Sequence, residues 1–159
     1  MLLPVQTGTD NPILRTVSAP VTQFGKKLTK LLIDMTETML KKDGVGLAAP
    51  QIGVNKRIAV LNFQLGKDEW RILPMMNPTI VQVGDKLETD EEGCLSLPKI
   101  YAKVTRPAIA TVKFQNEKGR EQTLTMEGLN ARAIQHEIDH LDGILFVDKA
   151  EPGSIQNSE

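Results

Sequence analysis

Gln135-His136-Glu137-Ile138-Asp139-His140 is the stretch on which the reading of this chain turns. Its two imidazoles stand four residues apart, so a helix brings them onto one face. Glu137 projects beside them, close enough to act on a water held between the rings. This is the H-E-x-x-H arrangement of metal-dependent hydrolysis. The pattern also occurs in helices that hold no metal, so the context decides. Leu129, Ala133, Ile134, Ile138 and Leu141 supply an apolar stripe at helical spacing, and Gly128 and Gly143 punctuate the segment. Gly143 suits a left-handed C-terminal cap. His136 and His140 are the only two histidines of the chain.

A catalytic site of this type takes three protein ligands and leaves a position open for water. Downstream, Glu151 lies in a Pro-Gly-Ser segment and Glu159 is the last residue, so a thermolysin-like third ligand is poorly supplied. The better candidate is Cys94, the one cysteine, in Glu91-Glu92-Gly93-Cys94-Leu95-Ser96-Leu97-Pro98. A lone cysteine excludes an internal disulfide and fits a reducing compartment. Gly93 lets the backbone approach a neighbour closely. A thiolate and two imidazoles form a good set for a divalent transition metal. A cysteine nucleophile with a histidine base is the alternative, and it leaves the second imidazole and Glu137 without a role.

A third segment, Gly44-Val45-Gly46-Leu47-Ala48-Ala49-Pro50-Gln51-Ile52-Gly53, is small, apolar and rich in glycine. It lacks the Gly-Lys-Ser/Thr ending of a phosphate loop and the G-x-G-x-x-G spacing of a dinucleotide site. It reads as a turn into a strand. Gly44, Val45 and Gly46 offer a wall for a substrate backbone, with Gln51 as a hydrogen-bond donor.

Together the three segments resemble the motifs of the peptide deformylases, in the same order and at matching separation. Asp10-Asn11-Pro12-Ile13-Leu14-Arg15 is similar to the family's entry segment, so the resemblance runs to about Asp148. It implies that Cys94, His136 and His140 bind the metal, that Glu137 is the general acid and base, and that Gln51 and the Leu95 N–H stabilise an oxyanion. It implies removal of the formyl group from the N-terminal formylmethionine of new proteins, releasing formate. The implied ion is Fe(II), with zinc, nickel or cobalt as substitutes. Val45, Leu129 and Ala133 are expected to line a methionine-sized pocket. Glu92 is expected to be buried, paired with Arg106, and to support a ligating imidazole, a role for which Asp139 also qualifies. The stem of Arg132 is expected to pack while its head reaches solvent. Tyr101 stands where many relatives carry a substrate-holding arginine, which makes it a substrate-contact candidate of a different kind.

The chain has 159 residues, with 19 basic and 20 acidic side chains, enough for one domain with a core and without a nucleic-acid signature. No apolar run approaches membrane-spanning length, and Met1-Leu2-Leu3-Pro4 opens no signal peptide. Leu28, Leu31, Leu32, Met35 and Met39 predict an N-terminal amphipathic helix from about Lys26 to Lys42, ended by Gly44. Strands are expected at 57–61, 79–83, 110–114 and 122–124, with a hairpin turn at 116–119 and long loops elsewhere. The fold class is therefore α+β: mainly antiparallel strands packed around a central metal-binding helix that carries the HExxH motif. Residues 1–148 are expected to form a single catalytic domain and 149–159 a short mobile tail, where many bacterial relatives continue into a long helix. The expected partners are N-formylmethionyl nascent peptides and, as a candidate, the ribosome. A monomer in the bacterial cytoplasm is expected, with organellar and phage-encoded origins left open. Two other readings stay open: a metallopeptidase cutting internal bonds, and a structural metal module, which would need a fourth protein ligand.

Overall fold

A computed structural model describes residues 1–158. The first helix, α1, spans Lys26–Lys41. Leu28, Leu32, Met35 and Met39 fall on its buried side, and Leu31 is partly buried against the same cluster. Each full burial of such a side chain contributes roughly 1.5–3 kcal/mol. The helix ends one residue earlier than Gly44 would end it. Asp43 takes the left-handed conformation, with φ 55°. The Asp43 N–H donates to Leu40 O (3.2 Å) and the Gly44 N–H to Met39 O (2.9 Å), which closes the last turn.

Among the described residues the chain then builds eight strands: β1 (Gly46–Ala48), β2 (Ile58–Gly66), β3 (Glu69–Val83), β4 (Leu87–Cys94), β5 (Leu97–Pro107), β6 (Ile109–Gln115), β7 (Glu121–Glu127) and β8 (Gln156–Asn157). All named pairings are antiparallel. One sheet has the order β1-β2-β3-β6-β7 and the other β4-β5-β8. The second helix, α2, spans Gly128–Leu141 and so carries both histidines and Glu137.

Strand alternation decides which helix lies on which face of the larger sheet. Ile58, Val60 and Met76 belong to the cluster under α1. Their chain neighbours Leu61 and Met75 belong to the cluster under α2, with Val112, Phe114, Ala131, Ile134 and Ile138. The sheet thus separates the helices, as a period of two requires. A third cluster, with Leu14, Leu97, Val104, Leu145 and Phe146, packs beneath the smaller sheet.

Three expectations need correction. Residues 87–107, read as loop, form β4 and β5. The β4 segment Leu-Glu-Thr-Asp-Glu-Glu-Gly-Cys has almost no β-branched or aromatic side chains, and Glu92 is its one buried residue. The strand expected at 79–83 is the end of a strand that begins at Glu69. Pro74 and Pro78 hide its continuity, and the register shifts between Met76 and Thr79. Residues 149–158 were expected to be loose. Instead Ala150 bridges to Val104, and β8 pairs with Ile100 and Tyr101 on the open edge of β5.

Candidate active site

The three motifs reach one place from three elements. Gly44–Gly46 lead into β1, and Gln51 sits in the short 3-10 turn Ala49–Ile52 that follows it. Cys94 ends β4 at an irregularity in its pairing with β5. His136, Glu137 and His140 project from α2, whose end is capped by Gly143 at φ 74°. The Gly143 N–H donates to His140 O (3.1 Å), and the Ile144 N–H donates to Asp139 O (2.9 Å). A Cβ on Gly143 would stand 2.6 Å from Arg15 O, so both conformation and space require glycine.

One ligating atom from each of Cys94, His136 and His140 lies within 4.8 Å of the others. Cys94 Sγ is 3.3 Å from His140 Nε2. The rings of His136 and His140 meet edge to face at 4.9 Å, and Phe146 stacks on His136 at 5.9 Å. Nδ1 of His136 donates to Glu92 Oε1 at 2.9 Å, which turns Nε2 toward the cluster. Burial holds the His140 pKa well below its ordinary value, whereas at His136 burial is outweighed by hydrogen bonds to Cys94 and Glu92, which raise it. A soft sulfur and two imidazole nitrogens, gathered on a packed helix and a strand end, fit a divalent transition metal.

Glu137 is buried, and its Oε1 has no hydrogen-bond partner among the described residues. Burial raises its carboxyl to about 7; the charge of His136 opposes the rise and that of Glu92 adds to it. Such a group takes and returns a proton near neutral pH. Gly46 makes room for it: a Cβ there would lie 2.5 Å from Glu137 Oε2.

Gln51 is buried, and its carbonyl accepts from the Ala48 N–H at 2.9 Å. That contact turns its amide Nε2 toward Cys94 Sγ (3.4 Å) and Ser96 Oγ (3.2 Å). The backbone N–H of Ser96 also points at Cys94 Sγ, at 3.4 Å. Ser96 is a site neighbour that the sequence reading missed, although it lies within the second motif.

Glu92 is the hub of the buried charges. Arg106 donates to it twice (2.6 and 3.0 Å) and to Asp139 Oδ2 once (2.9 Å). Asp139 in turn accepts from Lys149 at 3.0 Å. Burial alone would raise the Glu92 carboxyl, but hydrogen bonds from His136 and Arg106 hold it at about 2. The expectation for Arg132 is corrected here. Its side chain is 11% exposed and its head is tied to the protein: it donates to Glu92 Oε2 (2.7 Å), Val104 O (2.8 Å) and, at its exposed end, Glu88 O (2.8 Å). A buried carboxylate with four donors around it competes with water for a long cationic side chain.

A cavity of about 630 Å³ opens over this cluster. Gly44, Val45, Gly46, Gly93, Leu95, Tyr101, Leu129 and Ala133 all line it, together with Gln51, Cys94, His136 and Glu137. Leu95 packs against Gly44 at its wall, with Cδ1 3.3 Å from where a Cβ would be. The ring of Tyr101 lies over Gly93, where a Cβ would meet Cε1 at 2.8 Å. His140 lies beneath, next to Cys94.

The profile of the polypeptide deformylase family matches residues 4–155. The chain belongs to the peptide deformylase family. It is 48% identical to a peptide deformylase of Natranaerobius thermophilus over 142 residues, which covers 89% of this chain and 88% of that one. It is similar to the crystal structure of the peptide deformylase of Thermotoga maritima, with a TM-score of 0.89, 39% identity, and 96% and 99% of the two chains covered. It is also similar to a peptide deformylase of Synechococcus elongatus in complex with actinonin, with a TM-score of 0.88, 40% identity, and 95% and 80% covered. The fold shared with these deformylases is α+β with antiparallel sheets and two helices.

Proposed function

We propose that this chain removes the formyl group from the N-terminal formylmethionine of newly made proteins, as a metal-dependent hydrolase that releases formate. The observation that carries the reading is the convergence of Cys94, His136 and His140 beside the buried, unpartnered Glu137 carboxylate. In this reading α2 is the central metal-binding helix, and Cys94, His136 and His140 hold the ion. A divalent ion there would supply Lewis acidity and make a water acidic enough to ionise near neutral pH.

The remaining roles belong to side chains and backbone. Glu137 takes the proton of the attacking water and later delivers it to the leaving amine. The Gln51 amide and the Leu95 N–H face the charge that develops on the formyl oxygen, a contact whose loss typically costs about 2.7–4 kcal/mol of barrier. Val45, Leu129 and Ala133 take the methionine side chain. Gly44, Gly46, Gly93 and Tyr101 form the walls along which the following residues lie. Glu92 orients His136, and Arg106 keeps Glu92 ionised.

Fe(II) is the native ion in this account, with zinc, nickel and cobalt as substitutes; metal analysis of anaerobically purified protein checks it. Residues 1–148, with the following segment paired along β5, act as one catalytic domain. The protein works as a cytoplasmic monomer on nascent chains, with the ribosome as a partner. No helix among the described residues is long and apolar enough to cross a membrane. The test is formate release from a formyl-methionyl tripeptide, with the unformylated peptide beside it. Formate from the first supports the reading. Cleavage of internal bonds in both peptides would favour the metallopeptidase instead.

A further inference from the structure

Three residues of the cavity wall, Lys99, Ile100 and Tyr101, lie near the start of strand β5, which begins at Leu97. On the β4 side only Tyr101 of the three is paired, with Gly93; Lys99 and Ile100 fall in the register shift before the next pair, Cys94 with Leu97. Lys99 has φ 65°, a left-handed conformation that an L-residue keeps only where its neighbours fix it. Something must therefore fix the outer edge as well.

The segment that does so is 150–158, none of whose residues lines the cavity. It runs back along β5 from Val104, where Ala150 bridges. Glu151 N–H donates to Lys103 O at 2.8 Å, and the Glu151 carboxylate accepts from Thr105 Oγ1. Ser154 Oγ accepts from the Lys103 N–H at 3.1 Å. Gln156 then pairs with Tyr101 and Asn157 with Ile100. Finally the Ser158 N–H donates to Lys99 O at 2.7 Å, directly on the strained residue.

We propose that residues 156–158 are positioning residues for substrate: by pairing with Lys99–Tyr101 they fix the outer cavity wall, and so set the affinity for the residues that follow formylmethionine. The inference rests on the deformylase reading. The wall residues they hold, Lys99–Tyr101, are none of the Cys94, His136 and His140 cluster, so the segment acts on binding of the peptide beyond its first residue and leaves the chemical step alone.

The test uses Ser158→Pro, which deletes the N–H that bonds Lys99 O, and Ser158→Ala, which keeps it. Each full-length variant is compared with wild type on a formyl-methionyl tripeptide and on formylmethionine amide. Hydrogen exchange is followed at Lys99–Tyr101. Ser158→Pro is expected to speed exchange there and to raise KM for the tripeptide roughly three- to tenfold, the weight of one hydrogen bond. Its kcat should stay within about twofold, its KM for the amide should be unchanged, and Ser158→Ala should match wild type. Unchanged exchange, faster exchange with unchanged KM, an equal rise of KM for both substrates, or Ser158→Ala behaving as Ser158→Pro would each overturn the proposal. A wild type that releases no formate from either substrate sinks the deformylase reading itself, and the proposal with it.

Discussion

Gly46 and Glu137 are matched atom to atom: the missing Cβ is the space that the carboxylate occupies. Gly46→Ala would put a methyl group 2.5 Å from Glu137 Oε2. The carboxylate is the far end of a flexible side chain and can move aside, so stability should change little. Its displacement should lower kcat by about 10- to 100-fold, since a misplacement of about an ångström costs on that order. A kinetic comparison with a parallel melting curve checks this; an unaltered kcat would show that Glu137 tolerates the shift. Glu92 makes a different kind of match. It carries a full set of donors, and one of them is the ring that must present Nε2. Glu92→Gln should weaken metal affinity by about 10- to 100-fold, as removal of such supporting carboxylates does. Competition with a chromogenic chelator measures it, and an affinity equal to wild type would remove Glu92 from the account.

At the scale of elements, α1 and α2 were legible because their apolar spacing, and the Gly143 cap of α2, agree with one another. Gly143→Ala should therefore be costly. It forces a side chain into φ 74° and onto Arg15 O, where backbone cannot yield as a side chain can. A loss of about 1–3 kcal/mol is expected in a denaturant titration; no change in the midpoint would contradict the cap. The smaller sheet was not legible. Strand β4 is acidic and exposed apart from the buried Glu92 and the half-buried Cys94, and its pairing with β5 comes from tertiary contacts, not from local preference. Its length matters to the site all the same, because it delivers Cys94 at its end and Glu92 two residues before. The short tail strand was hidden for the same reason: two polar residues, Gln156 and Asn157, carry no hydrophobic pattern and are placed by backbone pairing alone. Arg132 was misread because the sequence shows a long cation on a helix, and only the fold shows the Glu92 carboxylate and two carbonyls waiting for it.

In the whole molecule, the entry segment and the chain after α2 are stitched together. Arg15 donates to Asp148 at 2.5 and 3.1 Å and to Gly143 O at 3.3 Å. The hydrogen bond from Arg15 comes first among the causes that hold the Asp148 carboxyl below its ordinary 3.8. A carboxyl depressed on folding contributes stability above its unfolded pKa and loses it as the pH falls through the folded value. The melting temperature should therefore fall as the pH drops below 3.8. Asp148→Asn should melt below wild type at pH 7, with the gap closing in acid. A gap independent of pH would mean that packing, not charge, holds the seam. The pair is more than a third exposed on the Asp148 side, so solvent screening keeps the effect small. The same organisation makes the catalytic claim simple to separate from the structural one. In the proposed function three side chains would hold the metal, and a fourth, Glu137, would move protons without being needed to hold it. The decisive measurement is formate release together with bound metal, for wild type and Glu137→Ala purified anaerobically. Formate from the wild type is expected, with equal metal in both proteins and turnover in the variant reduced by about 10²–10⁴-fold. Undiminished turnover by the variant, or loss of its metal along with its activity, would contradict the account.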